Sequence, residues 1–174
     1  MARRLCARTG GTGKTGGDTI KIRFATNKDY TRLFDLWHQI DRYHADALPE
    51  LFQAVSGAPR DELYFQTVME SGSILLAEAD GEVLGIAQVV IRQSEEIDIK
   101  VPRKYAHVDT LVVAEGKRGQ GIGRALMLAC DDWARQQGLS EIDLSVYEFN
   151  QPARRLYESL GYQTYKRHMS KNLD

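Results

Sequence analysis

A glycine-rich run with basic residues at its ends, Arg118-Gly119-Gln120-Gly121-Ile122-Gly123-Arg124, is the part of this sequence whose residue types best fit a chemical task. It follows an apolar stretch, residues 108–113, and precedes apolar residues at helical spacing, which predicts a strand, a turn and a helix. Glycines let the backbone approach a ligand closely, and the first amides of a helix lack intrahelical acceptors. Because the helix dipole adds positive charge there, the run predicts a phosphate or pyrophosphate site.

The elements around this turn follow from hydrophobic spacing. Residues 105–113 form a predicted strand, and the helix after the turn has apolar residues at steps of three and four until Gly138 predicts its end. Residues 141–147 predict a second strand, parallel to the first after a right-handed crossover. A short helix capped by Asn150 or Gln151 and a last strand over residues 162–169 complete this half of the chain.

The first half supplies more strands and two helices. In chain order we predict a strand over residues 20–25, a helix over 28–47, a helix from about 59 to 72, and strands over 74–79 and 83–91. The dipeptide Asp80-Gly81 between the last two strands predicts a two-residue hairpin. This order of elements predicts an α/β protein with a mixed sheet and helices on both of its faces.

Composition places the chain among ordinary globular proteins. Its 174 residues suffice for one domain, and a net charge of -1 gives no general attraction to nucleic acid or to an anionic membrane. No apolar run reaches the about 20 residues that a membrane-spanning helix needs. The only cysteines, Cys6 and Cys130, are far apart, so we expect no disulfide framework and take the reducing cytoplasm as the default location.

Residues 1–19 differ from the rest because they are basic and rich in glycine, which predicts a flexible tail before a single domain over residues 20–174. A targeting segment and an added, non-native segment are both left open. The tail contains Gly10-Gly11-Thr12-Gly13-Lys14-Thr15, which looks like part of a nucleotide-binding P-loop. Arg8 stands where that loop needs its first glycine, and no buried strand is predicted before it, so a nucleotide-binding kinase is kept only as the least favoured alternative.

Two motifs together make this chain resemble the GCN5-related N-acetyltransferases, the GNAT family. The family signature Gln/Arg-x-x-Gly-x-Gly/Ala matches Arg118-Gly119-Gln120-Gly121-Ile122-Gly123. A second signature some thirty residues on matches Asn150, Ala153, Tyr157 and Gly161-Tyr162. The resemblance is tight over residues 108–162 and looser before residue 79, and it departs at Glu115, where the family often has proline.

The resemblance implies the acyl-CoA N-acyltransferase fold, with a mixed, mostly antiparallel sheet of six to seven strands. It implies acetyl-CoA as the acyl donor and no metal ion. The residues expected to hold that donor, through backbone groups of a strand, amides of the glycine-rich turn and one asparagine, are Leu111, Val112, Val113, Arg118, Gly119, Gln120, Gly121, Ile122, Gly123, Arg124 and Asn150. Asn150 could equally be a simple helix cap.

Acetyl transfer to an amine also needs proton transfers. The resemblance implies Tyr157 as the donor to the leaving thiolate, although a core tyrosine would show the same spacing. A lysine-like acceptor with a pKa of about 10.4 must lose a proton before it attacks. His107 and Asp109, which share one face of the strand before the motif, are the candidate bases, and structural roles for both are open. His44, Asp46 and Glu50 are candidates on the acceptor side, with a solvated helix end as the simpler alternative.

We therefore expect an N-acetyltransferase that moves the acetyl group of acetyl-CoA directly to a primary amine in a ternary complex. The alternative is a non-catalytic acyl-CoA-binding or sensing module on the same fold. Polyamines, aminoglycosides, amino acids and protein amines are all open as acceptors, and the resemblance leaves a homodimer open. Cys130 lies on the apolar stripe of its predicted helix, so we expect a small core residue rather than a nucleophile.

Overall fold

The computed structural model describes residues 12–15, 18–53, 55–57, 59–94 and 98–173, with the backbone alone for residues 12–15, 18 and 19. Its elements, in chain order, are β1 (Thr12–Thr15), β2 (Asp18–Phe24), a 3-10 helix (Asn27–Leu33), α1 (Phe34–Ala47), α2 (Glu62–Ser71), β3 (Gly72–Ala79), β4 (Glu82–Gln93), β5 (Lys104–Val113), α3 (Ile122–Gln136), β6 (Ile142–Leu144) and α4 (Gln151–Ser159).

These strands form one sheet in the order β1-β2-β3-β4-β5-β6. Every neighbouring pair is antiparallel except β5 and β6, which are parallel as the predicted crossover requires. The mixed, mostly antiparallel sheet is therefore confirmed. The hairpin between β3 and β4 is confirmed as well, since Asp80 and Gly81 both have positive φ, at 50° and 80°.

Helices cover both faces of the sheet, as predicted. On one face α3 packs its buried side chains against the strands, and Gly85 of β4 favours that close approach: a Cβ there would lie 3.3 Å from side-chain atoms of both Ile122 and Leu126 of α3. On the other face the 3-10 helix, α1 and α2 bury a second group of residues: Leu33, Leu36, Trp37, Phe65 and Val68. The buried thiol of Cys130 lies in the first of these two cores, as expected.

The prediction of six to seven strands for the domain over residues 20–174 was wrong. Within the described residues five strands follow residue 17, and the sixth strand of the sheet, β1, comes from the segment predicted as a tail. β1 also places Gly13, Lys14 and Thr15 in a strand of a hairpin, an arrangement that a P-loop does not have. The rest of that segment up to residue 11, with Cys6, lies outside the described residues.

Residues 162–169 do not form the predicted strand. Tyr165 and Met169 are 74% and 83% exposed, and charged residues stand between them, so the segment has no continuous apolar face to bury. β6 is shorter than predicted, since its pairing with β5 ends at Leu144. The predicted first helix begins as a 3-10 helix and becomes an α-helix only at Phe34.

A β-bulge in β5 bears directly on the site. Gln88 of β4 is opposite Thr110, and the next residue, Val89, is opposite Val108, so Asp109 is an extra residue without a partner on β4. The bulge shifts by one residue the alternation of side chains between the two faces of the sheet. Val108 before it and Leu111 after it both belong to the core under α3, and Val112 belongs to the core under α1.

A buried carboxylate anchors the 3-10 helix to the sheet. Asp29 is 2% exposed and accepts two hydrogen bonds of 2.8 Å from the guanidinium of Arg23 on β2. Arg32 donates a third at 2.6 Å, and the amide of Thr26 donates a fourth at 2.9 Å. The Arg23 guanidinium above all holds the pKa of Asp29 well below its usual range. The charged form of Asp29 is thus the form that stabilises the fold.

Replacing Asp29 with asparagine should lower the free energy of unfolding by about 3 kcal/mol, because Arg23 then loses its buried partner. The pKa of Asp29 is lowered by folding, so its contribution is present above the unfolded pKa of about 3.9 and is lost as the pH falls further. Urea unfolding should therefore show a wild-type advantage at neutral pH that shrinks below about pH 4.

Asp132→Asn is the matched control, since Asp132 also pairs with an arginine three residues on, Arg135, but its side chain is 65% exposed. Its loss should change stability by less than about 1 kcal/mol. Equal effects of the two substitutions would contradict the role given to Asp29.

Candidate active site

Helix α3 begins directly after the glycine-rich turn, at the surface, and no side chain caps its N-terminus. Gly119 and Gly121 have φ of 78° and 81°, and Gly121 is the N-cap of α3, with no side-chain hydrogen bond to the cap and no acidic residue in the first turn. Ile122, 1% exposed, anchors that turn in the core. The amides at this helix start therefore have no capping side chain to bond, which is the geometry that an anion site over residues 118–124 requires.

Two arginines flank these amides. Arg118 donates from Nε to the carbonyl oxygen of Val113 at 3.3 Å, and its guanidinium carbon lies 5.8 Å from the centre of the Tyr43 ring. Arg124 donates to the hydroxyl oxygen of Ser159 at 3.1 Å. Neither arginine pairs with a carboxylate in the part of the chain that the structure describes, so both can contribute positive charge to the site.

The edge of β5 beside this turn is open. β6 pairs with β5 at only three positions, ending at Val108 opposite Leu144, while β5 continues to Val113. Residues 109–113 therefore have no strand partner on the β6 side among the described residues. The open edge includes Leu111, Val112 and Val113, which the family resemblance implies as donor-binding residues, and its backbone groups can pair with an extended ligand as an added strand would.

Helix α4 closes the far side of the opening. Asn150 is its N-cap and accepts a hydrogen bond from the amide of Ala153 at 3.2 Å, so the cap role is confirmed. The hydroxyl of Tyr43 on α1 lies 3.4 Å from the same Asn150 oxygen, which joins α1 to α4 across the opening. Tyr157 is half-buried against the core under α3, and burial raises the pKa of its phenol to about 12.

The two candidate bases on β5 come together, but their surroundings differ. His107 is 8% exposed, and its Nδ1 lies 2.6 Å from Oδ1 of Asp143. Its Nε2 lies 3.9 Å from Oδ1 of Asp109. Asp109 in turn accepts a hydrogen bond of 2.9 Å from Arg92 and one of 3.2 Å from Gln88. Both carboxylate oxygens of Asp109 are therefore engaged by donors of the protein itself.

Asp143 was missed by the sequence analysis. The signal was available, because the predicted parallel pairing of the strands before and after α3 brings some residue of the second strand opposite His107. Which residue pairs with His107 depends on the register of the two strands, and hence on the residue at which the crossover ends. Hydrophobic spacing does not locate that end to a single residue, so it could not identify Asp143.

Glu115, which stands where the GNAT family often has proline, makes a contact that proline could not make. Its amide donates to the side-chain oxygen of Gln39 on α1 at 2.8 Å, and a proline at this position would have no amide to donate. The loop that begins the glycine-rich turn is therefore tied to α1, and an open cavity of about 510 Å³ lies beside this contact, lined by residues of α1 and of the following loop.

The acceptor-side candidates lie at the C-terminal end of α1. Asp46 and Glu50 are exposed, and no hydrogen bond or ion pair joins them to the residues above. His44 instead lies among three aromatic rings from two segments, with its ring centre 5.2 Å from that of Phe52, 5.6 Å from that of Tyr147 and 5.9 Å from that of Phe149. Its Nδ1 lies 2.9 Å from the carbonyl oxygen of Ile40, which leaves Nε2 facing away from the helix backbone.

Two further observations concern the described residues only. None of their helices has the length and apolar character needed to cross a bilayer. No three histidine, cysteine or acidic side chains among them come close enough to share a metal ion.

Comparison with known proteins agrees with the site. The family model described as "Acetyltransferase (GNAT) family" matches residues 35–162. An uncharacterized N-acetyltransferase of Bacillus subtilis, YhfO, is 30% identical over 146 residues, 83% of this chain and 90% of its own. A crystal structure of a mutant of the BH1408 protein from Bacillus halodurans has 28% identity and a TM-score of 0.80, covering 87% of this chain and 99% of that one.

An aminoglycoside N-acetyltransferase, AAC(6')-Iy, solved in complex with CoA, covers 91% of this chain and 97% of its own with a TM-score of 0.64. At 18% identity that likeness concerns the fold alone. The family match spans both motifs, the open edge of β5 and the residues around His107. The chain therefore belongs to the GNAT family and is an N-acetyltransferase.

Proposed function

We propose that this protein transfers the acetyl group of acetyl-CoA to a primary amine by direct attack in a ternary complex. The observation that carries the proposal is the uncapped start of α3, bounded by glycines with positive φ, directly after the open edge of β5. A single extended ligand fits both features, because an anionic part of it can bind the helix start while an amide-containing part pairs with the open strand edge.

The residues fit acetyl-CoA part by part. The amides of residues 119–124, with Arg118 and Arg124, bind the pyrophosphate through charge-assisted hydrogen bonds. Backbone groups of Leu111, Val112 and Val113 bind the pantetheine arm, and a backbone amide of this stretch stabilises the negative charge that develops on the carbonyl oxygen. Asn150 contacts the same ligand from the start of α4 while it caps that helix.

Tyr157 donates a hydrogen bond to the leaving sulfur. With its pKa raised to about 12, the phenol stays protonated at any physiological pH. It is then a weaker acid than a thiol, whose pKa is about 8.5 for cysteine, so full transfer of its proton to the thiolate is uphill. We therefore assign Tyr157 the stabilisation of the thiolate, which solvent protonates after it leaves.

His107 is the better supported of the two bases. Its Nδ1 is engaged by Asp143, and its Nε2 has no partner within hydrogen-bond distance among the described residues, whereas both oxygens of Asp109 are engaged by Arg92 and Gln88. An imidazole whose second nitrogen is oriented by a carboxylate is suited to accept a proton from an incoming ammonium.

The Gly121→Glu variant should lose acetyl-CoA binding, because a carboxylate and its bulk replace the anion at the start of α3. We expect the dissociation constant, measured by calorimetry, to rise at least about 100-fold, the loss of two or more charge-assisted hydrogen bonds. Gly138→Glu is the control, since Gly138 follows the other end of α3 with a similar φ of 73°. Unchanged affinity in Gly121→Glu would overturn the proposed site.

The Tyr157→Phe variant should lower kcat by about 100-fold, since the leaving thiolate loses its hydrogen-bond donor. The affinity for acetyl-CoA should be unchanged, which binding measurements on the same preparation check. Tyr162→Phe is the control, because it removes a second buried phenol hydroxyl, one that lies near Asp131, from a ring 5.9 Å from that of Tyr157. An equal loss in both variants would indicate a packing defect instead.

The His107→Gln variant should lower kcat by about 100-fold or more, the usual contribution of a general base. Asp109→Asn should cost much less, because Arg92 already neutralises its carboxylate. The activity of both variants is measured as the release of free thiol from acetyl-CoA. The panel of acceptors is a polyamine, an aminoglycoside, an amino acid amide and a lysine peptide. A larger loss of kcat in Asp109→Asn than in His107→Gln would assign the base to Asp109. Tight binding of acetyl-CoA by the wild type without turnover on any amine would favour the non-catalytic acyl-CoA-binding module.

A further inference from the structure

We propose that Asp143 is the positioning residue of the active site: it fixes His107 in the tautomer with the proton on Nδ1, so that Nε2 carries the lone pair that deprotonates the acceptor. This inference rests on the proposed function and adds to it a residue from β6, the strand on the far side of the opening.

The contact is short and largely removed from water. His107 Nδ1 and Asp143 Oδ1 are 2.6 Å apart, and the two side chains are 10% and 17% exposed. A carboxylate buried to this degree needs a donor to offset its desolvation, and Nδ1 is the donor given to it. Since a carboxylate only accepts hydrogen bonds, the proton of the neutral ring must lie on Nδ1.

The backbone holds this geometry. His107 and Asp143 are register partners in the parallel pairing of β5 and β6, with one further pair on each side of them. The amide of Ala106 donates to the carbonyl oxygen of Glu141 at 2.9 Å, and the side chain of Glu141 pairs with Arg103. Asp143 therefore cannot move away from His107 without unpairing the two strands at the point where the sheet opens.

The free nitrogen faces a second carboxylate at a distance that leaves it available. Nε2 is 3.9 Å from Oδ1 of Asp109, which is beyond a hydrogen bond. When the acceptor ammonium gives a proton to Nε2, directly or through one water, the resulting imidazolium lies between Asp143 and Asp109. The amine nitrogen then bonds to the carbonyl carbon, and the carbon–sulfur bond breaks with its electron pair on sulfur. The nitrogen loses its second proton to solvent, solvent protonates the thiolate, and the imidazolium returns its proton to solvent, which leaves an amide and a free thiol.

The first test needs neither acceptor nor acetyl-CoA. Long-range proton–nitrogen NMR spectra of the free protein, at a pH high enough to make the ring neutral, report which ring nitrogen carries the proton. The sequence has 4 histidines, and His107→Gln identifies the signals of His107 by their loss. We expect the proton on Nδ1. A wild-type spectrum with the proton on Nε2 would overturn the proposal without any variant of Asp143.

Two variants extend the test. Asp143→Ala removes the acceptor of Nδ1–H, so the signals of His107 should move toward the Nε2–H tautomer that a free imidazole favours. Glu141→Ala is the matched control, because it removes a carboxylate two positions away that pairs with Arg103 rather than with His107. Glu141→Ala should leave the His107 spectrum unchanged, and an equal change in both variants would contradict a specific role for Asp143.

Kinetics separate this inference from the proposed function. Asp143→Ala should lower kcat by roughly 10- to 100-fold, the usual cost of losing a carboxylate that orients a histidine, with the affinity for acetyl-CoA unchanged. In the His107→Gln background the same substitution should cost nothing more, since Asp143 acts through His107. If the wild type releases no thiol with any amine, the proposed function fails; if it is active and Asp143→Ala matches it, only the role of Asp143 fails.

Discussion

The three-residue parallel pairing of β5 and β6 is the constraint on which the site depends. It is long enough to hold the two strands together at His107 and Asp143, and it ends early enough to leave residues 109–113 of β5 without a strand partner on the β6 side among the described residues. A longer β6 would fill this edge, which in the proposed function receives the pantetheine arm, and a missing one would leave His107 without the carboxylate of Asp143. Both the opening and the surroundings of the proposed base thus depend on where one short strand ends.

The crossover that connects these strands supplies the other half of the site. α3 must start beside the end of β5 because a right-handed connection packs back onto the sheet there. Its first turn holds neither a capping side chain nor an acid, which leaves its first amides free. The stability that a cap would add, about 1 kcal/mol, is absent at this helix and present at α4, where Asn150 accepts from Ala153. α1 also starts without a side-chain cap, at Leu33, but the 3-10 helix precedes it, so α3 is the α-helix among the described residues whose uncapped start directly follows a loop.

Much of this arrangement could be predicted from the sequence, and the failures have physical causes. The glycine-rich turn, the start of α3 and the hairpin at Asp80-Gly81 follow from local rules about positive φ and helix ends, so they were found. The strand predicted over residues 162–169 failed because alternation alone does not ensure an apolar face with something to cover it. Asp143 and the Gln39–Glu115 contact depend on register and on tertiary packing, which no local pattern encodes.

The contacts of α1 join the separate parts of the candidate site. Gln39 accepts a hydrogen bond from the amide of Glu115, Tyr43 contacts both Arg118 and Asn150, and His44 packs on Tyr147. One helix therefore contacts the glycine-rich turn, the N-cap of α4 and the aromatic rings around His44. Leu36 and Trp37 anchor α1 in the core, which fixes these three regions relative to the open edge of β5. For the direct transfer that we propose, contacts formed before the substrates arrive reduce the ordering that binding must supply.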